Sequence, residues 1–173
     1  MSIVNARGYF EIGIFHGKTQ ENLGTLWRSA YQMGAVGIFT IGRRYKKQAS
    51  DTLQVYRHIP LRHFDTYEDF EKSRAYDCQL IAIEQGGTPL PEFKHPQRAC
   101  YLLGAEDHGL PPSVLERCQH TISLPSIRTN SYNVAVAGSL IMYDRMVVPK
   151  HEGLKRAAPD RFAQHFRDQA IKV

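Results

Sequence analysis

Short, solid apolar runs alternate along this chain with longer segments whose apolar positions recur every three or four residues. The first run, 9–15, has the length and composition of a buried strand. Thr19 is placed to cap a helix from Gln20 to about Met33. Its apolar stripe is Leu23, Leu26, Trp27, Ala30 and Met33, and Gly34 is its stop. Residues 36–41 form a second run. Strand, helix and strand in such close succession make a βαβ unit, which demands parallel strands and a right-handed crossover.

The same reading continues downstream. It places a short strand over 53–60 and an acidic helix over 65–75, capped by Asp65 or Thr66. It then gives a strand over 78–83 closed by Gly86-Gly87, a strand over 98–103, a helix over 113–118 opened by Pro111-Pro112, and a last strand over 121–124. Residues 131–148 read as a long apolar helix, on which Ala135, Ala137, Gly138 and Ser139 would let another backbone approach closely. Residues 160–171 read as an amphipathic helix. The alternation defines an α/β class with a mostly parallel sheet flanked by helices.

At 173 residues and 42% hydrophobic content, one domain with a substantial core is expected. Residues 1–150 are read as that domain and 151–173 as a basic helical extension of it. The chain has no apolar run long enough to span a bilayer and no secretory pattern at its N-terminus, so no membrane association and a cytoplasmic location are expected. Three cysteines without a Cys-x-x-Cys pair indicate neither a disulfide framework nor a metal ribbon. A zinc site at Cys118 and His120 with Cys100 or His108 is disfavoured, and no metal is expected. The net charge of +5 is uneven. Between residues 42 and 63, Arg43, Arg44, Lys46, Lys47, Arg57 and Arg62 face a single Asp51. Between 149 and 173, six basic residues face three acidic ones. Such density suits a polyanion contact, although a solvated loop and helix face explain it as well.

Three local patterns carry candidate chemistry. In Asn22-x-Gly24-x-x-x-Arg28, a helical glycine costing about 1 kcal/mol relative to Ala sits one turn before an arginine, clearing room beside it for a phosphate or a ribose. In Gly104-x-Glu106-x-x-Gly109-Leu110, glycines permit close backbone approach and Glu106 offers a carboxylate; the loop is neither a dinucleotide fingerprint nor a Walker loop. In Asn130-Ser131-Tyr132-Asn133, hydroxyl and amide groups stand at the start of the long helix. Read singly, these are a tolerated glycine, a polar turn and a helix cap.

In order and spacing, the three patterns resemble the motifs of the SpoU/TrmH-type RNA ribose 2′-O-methyltransferases of the SPOUT class, over roughly residues 10–148. The resemblance implies an α/β fold with a deep C-terminal trefoil knot, and S-adenosylmethionine as cofactor. It also implies a homodimer and a structured RNA substrate. Arg28 matches the family's catalytic arginine, and Asn22, Glu106, Ser131 and Asn133 match positions that shape the active site. Ile83, Leu103, Gly104, Ile122, Leu124 and Ser131 fall where the family encloses the cofactor. Tyr132 departs from the commoner Leu or Met. The chain has no room for the separate N-terminal RNA-binding domain of some ribosomal RNA members. That favours tRNA, with Arg43, Arg44, Lys46, Lys47 and the C-terminal helix as RNA surfaces. Leu26, Trp27, Tyr31 and Met33 are expected in the core or a dimer interface rather than in base stacking. Ribosomal RNA as substrate, a non-catalytic RNA-binding factor and an unrelated doubly wound nucleotide enzyme remain alternatives.

Overall fold

The computed structural model describes residues 8–42, 54–128 and 131–147. Six strands, β1 (Tyr9–Phe15), β2 (Gly37–Ile41), β3 (Leu61–Phe64), β4 (Gln79–Pro89), β5 (Arg98–Leu103) and β6 (His120–Ser123), form one sheet in the order β3-β2-β1-β5-β4-β6. Every pairing is parallel. A parallel sheet buries both faces, which is why its strands are solid apolar runs. Ile81, Ile83, Tyr101 and Leu103 turn to one face, where α1 (Gln20–Gln32) and α4 (Val134–Val147) cover them. Leu80, Ala82, Cys100 and Leu102 turn to the other, beneath α2 (Tyr67–Ser73) and the single turn α3 (Pro112–Leu115). The doubly covered α/β sheet expected from the alternation is therefore present.

Several boundaries differ from the sequence reading, each for a local reason. Residues 54–60 form no strand: Val55–Arg57 is a 3-10 turn, because the two residues that enter the core, Val55 and Ile59, stand four apart. The edge strand begins only after Pro60, whose carbonyl takes the Ile38 N–H at 3.0 Å. Gly86-Gly87 does not close β4. The strand makes an irregular excursion after Ile83 and resumes pairing at Thr88 and Pro89. A Cβ on Gly87 would lie 2.5 Å from the Thr121 carbonyl, so glycine lets β4 re-approach β6 there. Thr66 caps α2, accepting the Asp69 N–H at 3.1 Å, but the Thr19 side chain does not cap α1. Tyr31 is not a core residue; it is 39% exposed.

α4 lies tightly on α1. A Cβ on Gly138 would meet Leu26 Cδ1 at 2.3 Å and Leu103 Cδ1 at 3.1 Å, and the Ser139 and Ser29 hydroxyls are 2.9 Å apart. The small-residue face thus serves packing within the chain. At its far end α4 is anchored by Arg145, which is buried and donates to the Pro96 and Gln97 carbonyls at 2.7 and 3.0 Å. Arg145 also donates to the Tyr101 hydroxyl at 3.0 Å, and the His95 ring bridges that hydroxyl to Asp144. Burial pushes the Tyr101 hydroxyl up to about 12, so it stays protonated.

Residues 43–53, 129–130 and 148–173 lie outside the described residues. They include Arg43, Arg44, Lys46, Lys47 and Asn130, and the helix expected over 160–171 and the extension expected over 151–173 fall among them. No helix among the described residues is long and apolar enough to cross a membrane.

The contact at Gly138 makes a prediction. Gly138→Val should destabilise the fold by about 1–3 kcal/mol through overpacking against Leu26 and Leu103, read as a lowered urea midpoint. An unchanged midpoint would mean that α4 does not lie this close in solution.

Candidate active site

A parallel sheet brings every strand's carboxyl end to one edge. The chain leaves β4 towards β5 and leaves β5 back across β4 to β6, so the segments that follow these strands gather over their carboxyl ends. A cleft of about 720 Å³ lies there, at the ends of β4, β5 and β6. Five of the six positions matched to cofactor enclosure line it: Ile83, Leu103, Gly104, Leu124 and Ser131. Ile122 does not; it is fully buried in the core.

Loop 104–110 forms one wall and is folded back on itself. The Ala105 N–H donates to the Gly109 carbonyl at 3.3 Å and the Gly109 N–H to the Ala105 carbonyl at 2.9 Å. Both glycines are dictated by this closure. A Cβ on Gly104 would fall 2.3 Å from the Gly109 carbonyl carbon. Gly109 has φ +63°, and a Cβ there would fall 2.2 Å from Glu84 Oε2. The sequence reading passed over Glu84. Its Oε2 accepts the Leu110 N–H at 3.0 Å and its Oε1 accepts the Gln85 N–H at 3.0 Å, so this carboxylate holds the loop against the end of β4. A carboxylate wedged between a buried run and Gly-Gly was the available signal. At the loop tip, Lys18 pairs with Asp107; both are about half exposed, so the pair contributes little to stability.

The three sequence patterns meet through side-chain amides. Asn133 Oδ1 accepts the Ala135 and Val136 N–H groups at 2.9 and 3.3 Å, capping α4. That use of the oxygen turns its Nδ2 towards Asn22 Oδ1, to which it donates at 2.9 Å. Asn22 Nδ2 in turn donates to Glu106 Oε1, which also accepts the Thr19 hydroxyl at 3.3 Å. The polarity of the string is set by the α4 cap at one end and the carboxylate at the other. Glu106 Oε2 carries no hydrogen bond among the described residues, and Glu106 lines the cleft.

Asn22, Glu106 and Asn133 are thus brought together, with Ser131 on the cleft wall. Arg28 is not among them. It is exposed, six residues further along α1 and roughly 9 Å up the helix axis, and makes no ion pair among the described residues. Among the described residues no three His, Cys, Asp or Glu side chains come together to hold a metal. The three cysteines are free thiols, and burial pushes Cys118 up to about 11, which disfavours its thiolate.

A fully parallel α/β sheet with a cleft at the carboxyl ends of its strands is a small-molecule binding fold. The sequence profile of the SpoU rRNA Methylase family matches residues 10–143, and the chain belongs to that family. An uncharacterized tRNA/rRNA methyltransferase of Archaeoglobus fulgidus is 24% identical over 130 residues, 72% of this chain and 58% of its own length. An AdoMet-bound rRNA methyltransferase from Sinorhizobium meliloti superposes with a TM-score of 0.72 at 24% identity, covering 80% of this chain and 56% of the other. A structure concerning 2-OH methylation of C/U34 on tRNA superposes with a TM-score of 0.68 at 24% identity, covering 79% of this chain and 88% of the other. The chain therefore spans rather more than half the length of the first two.

The amide string can be tested directly. Asn133→Ala should cost about 1 kcal/mol through the lost cap. Asn133→Asp should keep most of the cap but remove the donor to Asn22 and so move the Asn22 side-chain amide resonances in an NMR spectrum. Unmoved Asn22 amide resonances would show that the string does not form in solution.

Proposed function

We propose that this protein is an S-adenosylmethionine-dependent RNA methyltransferase that acts on a ribose 2′-hydroxyl, with tRNA as the favoured substrate, and that it works as a homodimer. The observation that carries the reading is the Asn133–Asn22–Glu106 string beside the cleft, which unites all three sequence patterns at one place. Family membership supports methyl transfer to RNA. The bound AdoMet of the Sinorhizobium protein supports the cofactor, and the neighbour concerned with 2-OH methylation supports both ribose and tRNA.

The cleft suits such a cofactor. Its volume of about 720 Å³ and its walls of Ile83, Leu103, Leu124 and Ala137, interleaved with the backbone of Gly104, fit an adenosyl group held by apolar contact and main-chain hydrogen bonds. When bound, the cofactor supplies a methyl group made electrophilic by its sulfonium. The protein must orient the hydroxyl and accommodate its proton. Asn22 and Asn133 are positioning residues: they fix Oε1 of Glu106 and leave Oε2 free to accept the hydroxyl's hydrogen bond. The Arg28 guanidinium is a fixed cation; its part is to hold an RNA phosphate and to stabilise charge developing on the 2′-oxygen.

The dimer reading rests on α4. Val136, Leu140, Tyr143 and Val147, exposed by 46, 40, 52 and 41%, recur at helical spacing as one apolar face that is unpartnered among the described residues. A second copy seated there would let Arg28, which stands apart from its own cleft, serve the partner's. Arg43, Arg44, Lys46 and Lys47, together with the basic 151–173 extension, are the RNA surfaces in this reading.

Labelled methyl transfer to bulk tRNA and, separately, ribosomal RNA tests the proposal. Arg28→Ala should abolish transfer while leaving cofactor affinity near that of the parent; a large loss of cofactor binding would refute the role given to Arg28. Transfer to ribosomal RNA alone would replace the tRNA assignment. Changing Arg43, Arg44, Lys46 and Lys47 to Gln should weaken RNA binding and flatten its salt dependence by up to about four units of slope. An unchanged slope would remove that segment from the RNA surface.

A further inference from the structure

On α1, Ser29 faces α4, whereas Tyr31 lies two residues on and so roughly 200° around the helix. Trp27 and Tyr31, four apart, share that second flank. Trp27 Nε1 donates to the Ile59 carbonyl at 3.2 Å and clamps the 55–59 segment against the helix. The clamp sets the His58 ring on Tyr31, with centroids 4.7 Å apart and planes 21° from parallel. Tyr31 and His58 are both exposed, so the pair is a flat aromatic surface open to solvent rather than core. Beside it, the exposed Arg57 guanidinium lies 5.8 Å from the Tyr56 ring centre and has no carboxylate partner among the described residues. Arg28 stands one turn before Tyr31 on the same helix, and the 55–59 segment follows directly on the stretch that carries Arg43, Arg44, Lys46 and Lys47.

We infer that the Tyr31–His58 stack, flanked by Arg57, is an RNA platform on which one unpaired base of the substrate stacks, beside the phosphate held by Arg28. The inference rests on the RNA reading above. Stacked rings between unpaired cations match a single-stranded nucleic acid, which offers a π-face at each base and a charge at each phosphate. A second copy of the chain suits the patch poorly, because the apolar face that would receive one is on α4, on the other side of α1. No base-edge reading is needed, so the platform adds affinity and register more than sequence choice.

The test uses the full chain, fluorescently labelled unfractionated tRNA and the methyl-transfer assay. Tyr31→Ala and His58→Ala should each weaken tRNA binding by about 10-fold and raise KM for tRNA while sparing kcat and cofactor affinity. Tyr31→Phe should behave as the parent. The Tyr31→Ala/His58→Ala double variant should lose little more than either single one, because the two rings serve one base. Arg57→Gln should lower the salt slope by about one. Both rings are exposed, so unfolding midpoints should hold. Unchanged tRNA affinity in the alanine variants would overturn the inference, as would a fall to monomer in sedimentation, which would make the patch a contact between copies. If the parent binds tRNA without transferring methyl, the catalytic reading falls. The binding series then still decides the platform.

Discussion

At Gly138 there is no space for a methyl group. Leu26 of α1 and Leu103 of β5 already occupy the positions such a group would take. That absence lets two helices far apart in sequence lie side by side on one face of the sheet, and the Ser29–Ser139 contact and the buried Arg145 anchor hold the same arrangement along α4. Asn22 on α1 and Asn133 at the head of α4 then stand within 2.9 Å, although 111 residues separate them. A wider crossing would leave the two amides apart and Glu106 without its main donor. The geometry of the site edge is therefore a consequence of close packing well below it.

The loop from Gly104 to Leu110 shows the same economy of means. Its turn is closed by its own backbone, and its outer strand is tied down by Glu84 through the Leu110 N–H. A half-buried carboxylate contact with a main-chain amide is stronger than a neutral hydrogen bond, and its position leaves no room for a side chain at 109. Glu106 is thus presented from this closed loop, with one oxygen committed to Asn22 and Thr19 and the other without a hydrogen bond among the described residues.

Away from the cleft the surface divides by chemistry. The outward face of α4 is apolar, and the opposite flank of α1 carries stacked rings among basic groups. One suits another copy of the chain and the other a polyanion. Arg28 lies on the helix between them. In the proposed function, that is where Arg28 would meet a second copy and an RNA.

The amino-acid order alone specified those strands on which period and composition agree. β1 and β5 fall where their apolar runs predict, because a strand buried on both faces admits little else at those positions. It also disclosed Asn22, Glu106 and Asn133 as separate polar marks, and their order as a family resemblance. It misplaced the 53–60 segment, because Val55 and Ile59 reach the core through a turn and local β-propensity does not record that. It missed Glu84, whose value lies wholly in an amide 26 residues away. It placed Tyr31 in the core or a dimer interface and did not see its stacking on His58, because an aromatic residue on a helix looks the same whether it meets a core or a histidine from another segment. Which marks touch was settled by packing. Hydrogen-bond partners are chosen by the packing of helices on the sheet, and that packing is a property of the whole chain at once.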